Sequence, residues 1–203
     1  LDKELWKLGI PSKTKHNEAA PSQHELAPIF ANSNVAVDQN LLTMELLKKI
    51  APQYGMSALL AEKPFMGING SGKHNNWSLS TDGGINLFKQ GKRPQENKQF
   101  LLFLAAVIKA VDDYQDLLRV STATPGNDYR LGGNEAPPAI ISIFLGEELD
   151  MIIDSVTDGS EYAKKDTKYM SLGVRSVPVI RQDTTDRNRT SPFAFTGNKF
   201  EFR

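Results

Sequence analysis

The longest periodic segment of the chain, residues 95–120, constrains the possible folds most. It follows Pro94, and its apolar side chains recur at helical spacing and form a wide stripe: Phe100, Leu101, Phe103, Leu104, Val107, Ile108, Val111 and Leu118. A stripe this wide predicts a helix that is largely buried, because its apolar face must pack against another layer. Any fold for this chain therefore has to supply a layer that covers this helix.

The other periodic segments predict both helices and strands, in irregular order. Strands are predicted at 23–30, with Pro28 at an edge or bulge, at 57–60 as a short buried strand, after residue 74 and at 199–203. Helices are predicted at 37–54 and 147–156. The composition of residues 121–138 predicts a long loop. This order favours an α+β fold over a parallel sheet built from βαβ units.

Composition excludes several classes of function. Lysine plus arginine equals aspartate plus glutamate at 24 each, so we expect no nucleic-acid partner and no anionic membrane partner. No apolar run approaches the roughly 20 residues of a membrane span. The absence of cysteine excludes disulfides and thiolate metal sites and is compatible with the cytoplasm. The chain begins with Leu1 and stops inside an alternating pattern, which predicts an internal piece of a longer protein.

A glycine-rich stretch, GINGSGKHNNWSLS at 67–80, matches the phosphate-binding pattern GxxxxGK through Lys73. A true phosphate loop continues with Ser or Thr and then a helix, whereas here His74 follows and residues 75–81 predict a strand. We therefore reject that interpretation. The glycines would let the backbone approach a ligand and His74 would supply an imidazole; the alternative is a simple turn with an inert, hydrogen-bonded histidine.

Two acidic residues, Glu18 and Glu25, lie seven positions apart around Pro21 and Ser22. A turn at Pro21 and Ser22 would bring their carboxylates together, and carboxylate oxygens are the preferred ligands of Mg²⁺ or Mn²⁺. The alternative is that both are ordinary solvated acids, which is the common state of glutamate at a surface.

Two further clusters combine arginine with glutamate. Arg130 and Glu135 lie in the predicted loop, where arginine could grip a carboxylate or phosphate and glutamate could accept a proton; an exposed salt bridge is the alternative. In the C-terminal strand, Glu201 and Arg203 point to one face and could act as a metal ligand and an anion clamp. The nearby Arg189 would be solvated if it has no ligand.

In chain order, these motifs resemble the catalytic domain of glutamine synthetase. The resemblance covers residues ~16–138 and ~186–203, and the segments HNEAAPSQHELAPIF and RTSPFAFTGNKFEFR resemble the type III branch in particular. The family implies a curved antiparallel sheet with packed helices, here incomplete. It also implies ATP-dependent ligation of ammonia to L-glutamate with Mg²⁺ or Mn²⁺, and an oligomer of stacked rings, a dodecamer.

The resemblance also implies roles for individual residues. Metal ligands would be Glu18, Glu25, His74 and Glu201; glutamate would bind Asn69, Gly70, Arg130 and Arg203; ATP would lie near Asn76, Ser78 and Arg189. Arg189 would stabilise the transferred phosphoryl group. Glu135 would lie on a flap and take the proton from ammonium.

The chain departs from the family pattern at several places. Asn76 replaces a usual histidine, and Ala194 stands where a phosphate-binding arginine is usual. Residues 139–185 are expected to form a branch-specific insertion within the catalytic domain that 1–203 would partly supply. The family's N-terminal domain and first metal-binding strand are missing from this piece, so we expect it to be inactive alone. A γ-glutamyl-amine ligase of the same family and a non-catalytic assembly or regulatory relative are the alternatives.

Overall fold

A computed structural model describes residues 1–133, 136–162 and 191–203, together with the backbone of two short strands at 169–170 and 180–181. The chain divides into two compact units, an N-terminal unit of residues 1–71 and a C-terminal unit of residues 72–203. The boundary falls inside the glycine-rich stretch that the sequence singled out. Among the described residues, no helix combines the length and the apolar character that crossing a membrane requires.

The N-terminal unit contains two helices and a two-stranded hairpin. Its elements are α1 (Asp2–Lys7), β1 (Ser12–Asn17), β2 (His24–Pro28) and α2 (Ser33–Ile50), which continues as a 3₁₀ turn (Ala51–Tyr54). The antiparallel hairpin has its irregularity between Ser12 and Thr14, and Ser12 pairs with Pro28. The predicted strand and the irregularity expected at its proline are thus confirmed.

The segment after this hairpin corrects two boundaries. The helix predicted from residue 37 begins earlier, at Ser33, because the amide of Ala36 already donates to the carbonyl of Asn32 at 2.8 Å. The buried strand predicted at 57–60 is wrong: the segment is irregular, and Leu59 is 57% exposed. A short apolar run becomes a buried strand only when a neighbouring strand pairs with it, and no described strand pairs with this segment.

The C-terminal unit alternates helices with short strands. Its elements are β3 (Asn75–Trp77), α3 (Lys98–Asp113), α4 (Gln115–Ser121), α5 (Pro125–Arg130), β4 (Ile143–Phe144), α6 (Glu147–Asp158), β5 (Tyr169–Met170), β6 (Ile180–Arg181), β7 (Phe193–Phe195) and β8 (Phe200–Phe202). Four strands form a sheet in the order β3-β8-β7-β4, in which β3, β8 and β7 are antiparallel and β4 is parallel to β7. Strands β5 and β6 form a separate antiparallel pair. The predicted α+β class is confirmed, with one parallel pair that was not expected.

The core of this unit lies between α3 and the sheet. Phe100, Leu104 and Val111 of α3 are buried against the aromatic side chains of the strands. Asn97 caps the helix, since its side-chain oxygen accepts from the amide of Phe100 at 3.1 Å. The predicted buried helix is therefore confirmed, but it breaks at Tyr114, where α4 begins.

The predicted loop at 121–138 is wrong in part, because it contains α5. Thr124 caps this helix by accepting from the amide of Asn127 at 3.2 Å, and Pro125 occupies its first turn. Both features favour a helix start even in a segment rich in glycine and asparagine. The helix ends at Arg130 and so fixes the backbone of one candidate binding residue.

Candidate functional site

A carboxylate cluster lies at the end of the β1–β2 hairpin. One atom each from His16, Glu18 and Glu25 lies within 4.8 Å of the other two. The Nε2 atom of His16 is 2.6 Å from Oε1 of Glu18 and 2.9 Å from Oε2 of Glu25. The convergence of Glu18 and Glu25 that the sequence predicted is therefore present, with an imidazole between the two acids.

Strand pairing explains this cluster. His16 and Glu25 are directly opposite each other in the antiparallel register, which places both side chains on one face of the hairpin. The amide of Glu18 donates to the carbonyl of Gln23 at 2.8 Å and closes the hairpin. Ser22 has a φ of 56°, a left-handed conformation that several types of tight turn use. The turn predicted at Pro21 and Ser22 is thus where the chain reverses.

The donor set of this hairpin cluster fits a divalent cation. Ligands bound at about 2.1 Å and at right angles to one another lie about 3 Å apart, and the two distances from His16 are close to that value. Two carboxylates would offset the charge of a divalent ion. The structure thus supplies the arrangement that the predicted metal roles of Glu18 and Glu25 need.

A second cluster lies on the paired strands β3 and β8 of the four-stranded sheet in the C-terminal unit. Glu201 of β8 receives His74 on one side, with Nδ1 at 3.0 Å from Oε1, and Arg203 on the other, with Nη2 at 3.0 Å from Oε2. Asn76 of β3 lies opposite Glu201 in the strand register. The pairing of β3 with β8 thus brings together residues from the two ends of the segment 74–203.

The electrostatics of this sheet cluster keep Glu201 ionised. The hydrogen bond from His74 lowers the pKa of Glu201 most, burial opposes this shift, and Arg203 lowers it further, to about 2. The carboxylate therefore carries its charge throughout the neutral range. An ionised carboxylate is a suitable ligand for Mg²⁺ or Mn²⁺, and the neighbouring imidazole offers a nitrogen as a second donor.

Arg130 occupies a third, more enclosed position. It is 5% exposed, and its Nη1 donates to Oδ1 of Asn127 at 2.8 Å, while Nδ2 of Asn127 donates to the carbonyl of Thr122 at 2.8 Å. The guanidinium lies directly against Gly72: a Cβ added there would be 2.5 Å from Cζ of Arg130. The glycine therefore creates the space for the guanidinium.

This contact gives a prediction for Gly72→Ala in the full-length protein. Gly72 needs no left-handed φ, so the backbone tolerates alanine, and the flexible end of Arg130 should move instead. Displacing a charged donor costs about 1.5–3 kcal/mol, so KM for glutamate should rise roughly tenfold or more if Arg130 binds that substrate. Steady-state kinetics with varied glutamate would measure this change.

The matched control is Gly83→Ala. A Cβ at Gly83 meets only Oγ1 of Thr81 within 4 Å, at 3.7 Å, which is ordinary contact. KM for glutamate should be unchanged in this variant. An unchanged KM in Gly72→Ala as well would argue against a substrate role for Arg130.

The remaining predicted residues are placed as follows. Asn69 and Gly70 are half-buried in the N-terminal unit, where the Gly70 carbonyl accepts a long hydrogen bond, 3.4 Å, from Nε2 of Gln23. Asn76 and Ser78 are exposed on the polar face expected for their strand. Glu135 and Arg189 lie outside the described residues. All the assigned roles stay predictions.

Two residues at these sites were missed by sequence reasoning. His16 precedes Glu18 by two positions, so an extended segment from the strand at 12–17 into Glu18 would have placed both on one face, but that strand was not predicted. Asn127 holds Arg130 from one helical turn away, and only recognising the helix start at Thr124 would have revealed it.

Comparison with known proteins decides the family. The model of the family described as glutamine synthetase, catalytic domain, matches residues 1–138. The chain belongs to the glutamine synthetase family. It is 57% identical over 98% of its length to a protein of Dictyostelium discoideum named type-3 glutamine synthetase. It is also 62% identical over 99% of its length to a glutamine synthetase of Butyrivibrio fibrisolvens.

These similarities confirm the predicted family and agree with the predicted type III branch. A glutamine synthetase of Methanococcus voltae is more distant, 31% identical over 66% of the chain. The chain spans only 27% of the length of the Dictyostelium relative and 29% of the length of the Butyrivibrio relative. What the family's complete proteins do is therefore taken up below as a proposal for the longer protein.

Proposed function

We propose that the full-length protein is an ATP-dependent glutamate–ammonia ligase that forms glutamine, ADP and phosphate. The observation that carries this proposal is the pair of acidic clusters in a chain of this family: Glu18 with Glu25 on the hairpin, and Glu201 with His74 on the sheet. In this reaction ATP phosphorylates the side-chain carboxylate of glutamate, and ammonia displaces the phosphate from the resulting acyl phosphate.

The acidic clusters would hold the divalent cations, Mg²⁺ or Mn²⁺. Bound there, the cations would neutralise charge on the phosphates during transfer. The protein's part is to keep its ligands ionised and together: the hairpin closes Glu18 on Glu25, and His74 and Arg203 keep the pKa of Glu201 low.

Substrate glutamate would be held through its charged groups. Arg130 and Arg203 supply guanidinium groups suited to carboxylates, and Asn127 and Glu201 hold these two side chains in position. Asn69 and Gly70 would add backbone and amide contacts to glutamate. Such fixed donors favour a reaction that has to orient a carboxylate for attack on ATP.

The other proposed roles concern the phosphates and the ammonia. Asn76 and Ser78 would lie near ATP, and Arg189 would stabilise the phosphoryl group during its transfer from ATP to glutamate. Ala194 is buried in β7, so that position supplies no arginine for the phosphates. Glu135 would accept the proton from ammonium under a flap that excludes water, which would otherwise hydrolyse the acyl phosphate.

The proposal extends to the assembly and the compartment. We propose a homo-oligomer of stacked rings, a dodecamer, in the cytoplasm. Residues 139–185 are proposed as an insertion within the catalytic domain, and residues 1–203 as part of that domain. Analytical ultracentrifugation of the full-length protein would measure the assembly.

The proposed reaction is tested with hydroxylamine in place of ammonia. Full-length protein supplied with glutamate, ATP, Mg²⁺ or Mn²⁺ and hydroxylamine should form γ-glutamyl hydroxamate, which iron(III) detects by colour. Glu18→Gln should lower the rate at least about 100-fold, because a fixed charge that acts in the transition state is lost. Glu4→Gln, which removes an exposed partner of Lys7 on α1, is the matched control and should leave the rate unchanged.

The same assay separates the alternatives. Faster product formation with larger amines than with ammonia would indicate a γ-glutamyl-amine ligase. No hydroxamate under any metal condition, from a correctly assembled protein, would contradict the proposal and indicate a non-catalytic relative.

A further inference from the structure

The hairpin cluster contains one group that the metal roles assigned above do not use, the imidazole of His16. Its Nε2 atom is the only nitrogen among the three candidate ligand atoms of this cluster, and it faces both carboxylates, at 2.6 Å and 2.9 Å. We propose that His16 is a third protein ligand of the cation held by Glu18 and Glu25, and that it makes this site prefer Mn²⁺ over Mg²⁺. The inference rests on the proposed function only in that Glu18 and Glu25 bind a cation.

The pairing of β1 with β2 places His16 in this position. His16 pairs with Glu25 in register, and Glu18 follows it by two residues. The neighbouring Lys15 alternates to the other face, where its ammonium pairs with Asp2 of α1. The imidazole and the two carboxylates therefore share one face of the hairpin, while the adjacent positive charge is turned away from them.

The chemistry of the donor set gives the preference. Mg²⁺ demands oxygen ligands and gives up its water reluctantly, so a site of two carboxylates and water suits it. Mn²⁺ also favours carboxylate oxygen, but as a first-row transition-metal ion it accepts an imidazole nitrogen more readily than Mg²⁺ does. Replacing one oxygen ligand with Nε2 of His16 should strengthen Mn²⁺ binding more than Mg²⁺ binding.

A positioning role for His16, without metal ligation, makes a different prediction. If His16 only holds the two carboxylates together through hydrogen bonds, it acts on any cation to the same extent. Its removal would then weaken Mn²⁺ and Mg²⁺ binding equally, and no nitrogen would lie next to the bound ion. Selectivity and nitrogen coupling therefore distinguish a ligand from a positioning residue.

The experiment uses the full-length protein with Mn²⁺ as the probe and three variants: His16→Asn, His24→Asn and Glu18→Gln. Electron paramagnetic resonance of unbound Mn²⁺ gives its dissociation constant, competition gives that of Mg²⁺, and electron spin-echo modulation detects ¹⁴N next to the bound ion. His24 is the matched control, since it lies on β2 of the same hairpin, is exposed and is not in the cluster. Repeating the series in a His74→Asn background removes nitrogen coupling from the sheet cluster.

We expect His16→Asn to raise the Mn²⁺ dissociation constant about tenfold, which is typical when a residue around a bound metal is replaced. The Mg²⁺ dissociation constant should rise by much less. The ¹⁴N modulation should fall in His16→Asn and persist in His24→Asn. Because His16 is partly exposed, circular dichroism should be unchanged; His16→Gln serves as a second variant.

Two outcomes would overturn the inference, and they differ from failure of the proposed cation site. Unchanged ¹⁴N modulation in His16→Asn, or equal loss of Mn²⁺ and Mg²⁺ affinity, shows that His16 is not a ligand even when Glu18→Gln weakens binding. If Glu18→Gln also leaves Mn²⁺ binding unchanged, the cation site on the hairpin is itself refuted, and the inference with it.

Discussion

Replacing Glu201 with glutamine in the full-length protein should lower γ-glutamyl hydroxamate formation at least about 100-fold. Glu201 is partly buried, with 13% of its side chain exposed, and it joins His74 to Arg203. Glutamine keeps the size of the side chain but removes the negative charge that would bind a cation and orient both neighbours. Hydroxamate kinetics at saturating ATP and glutamate would show the loss in kcat.

Glu96→Gln is the matched control for this prediction. Glu96 pairs with Arg93 on an exposed surface of the same C-terminal unit, where a salt bridge contributes little. Its removal should change kcat less than twofold. Equal activity in Glu201→Gln and Glu96→Gln would contradict the role proposed for the sheet cluster.

Acid unfolding gives an independent measurement on Glu201. Its pKa is lowered in the folded protein to about 2, so its contribution to stability is complete above the unfolded value, near 4.5, and is lost as pH falls through about 2. The parent protein should therefore lose more stability than Glu201→Gln between those two pH values. A parallel loss in both proteins would show that the carboxylate does not stabilise the folded state.

Long periodic segments could be predicted from the sequence because their pattern records burial directly. The stripe on α3 and the apolar face of α6 each repeat over several turns, and chance matches rarely extend that far. The alternating segment that became β8 is short, but its pattern of large aromatics around one glutamate has period two. In each case the local pattern and the final packing agree.

Other elements depended on contacts that local patterns do not record. Strand β1 is polar almost throughout and is a strand because it pairs with β2, so its sequence gave no apolar alternation to detect. The run at 57–60 is apolar but has no described pairing partner, and the expectation of a buried strand failed there. Pairing over distance decided both cases.

The candidate site divides in the same way. Glu18 with Glu25, and Glu201 with Arg203, are close in sequence, so a turn or a strand period was enough to predict each pair. The contact between His74 and Glu201 joins β3 to β8, and only the pairing of these strands brings it about. Resemblance to a family related these residues before any geometry was known.

The second large effect is expected from Phe200→Ala, which removes the centre of the aromatic core. Phe200 is fully buried, and its ring stacks on that of Trp77 with a centroid separation of 5.5 Å. The ring centroids of Phe88 and Phe195 lie 5.1 Å and 5.2 Å from that of Phe200. Truncating such a residue costs about 3–5 kcal/mol, because the lost contacts leave a cavity. The free energy of unfolding, from denaturant titration at fixed protein concentration, should fall by this amount.

This substitution should also disturb the sheet cluster of His74, Glu201 and Arg203, because Phe200 directly precedes Glu201 on β8. Loosening β8 would misplace Glu201 against His74, so Mn²⁺ binding should weaken at temperatures where the protein is still folded. Leu102→Ala is the matched control: Leu102 lies on α3 but is 68% exposed, and its loss should change stability by about 0.5 kcal/mol or less. Equal destabilisation by both variants would mean that the aromatic cluster does not hold the strand that carries Glu201.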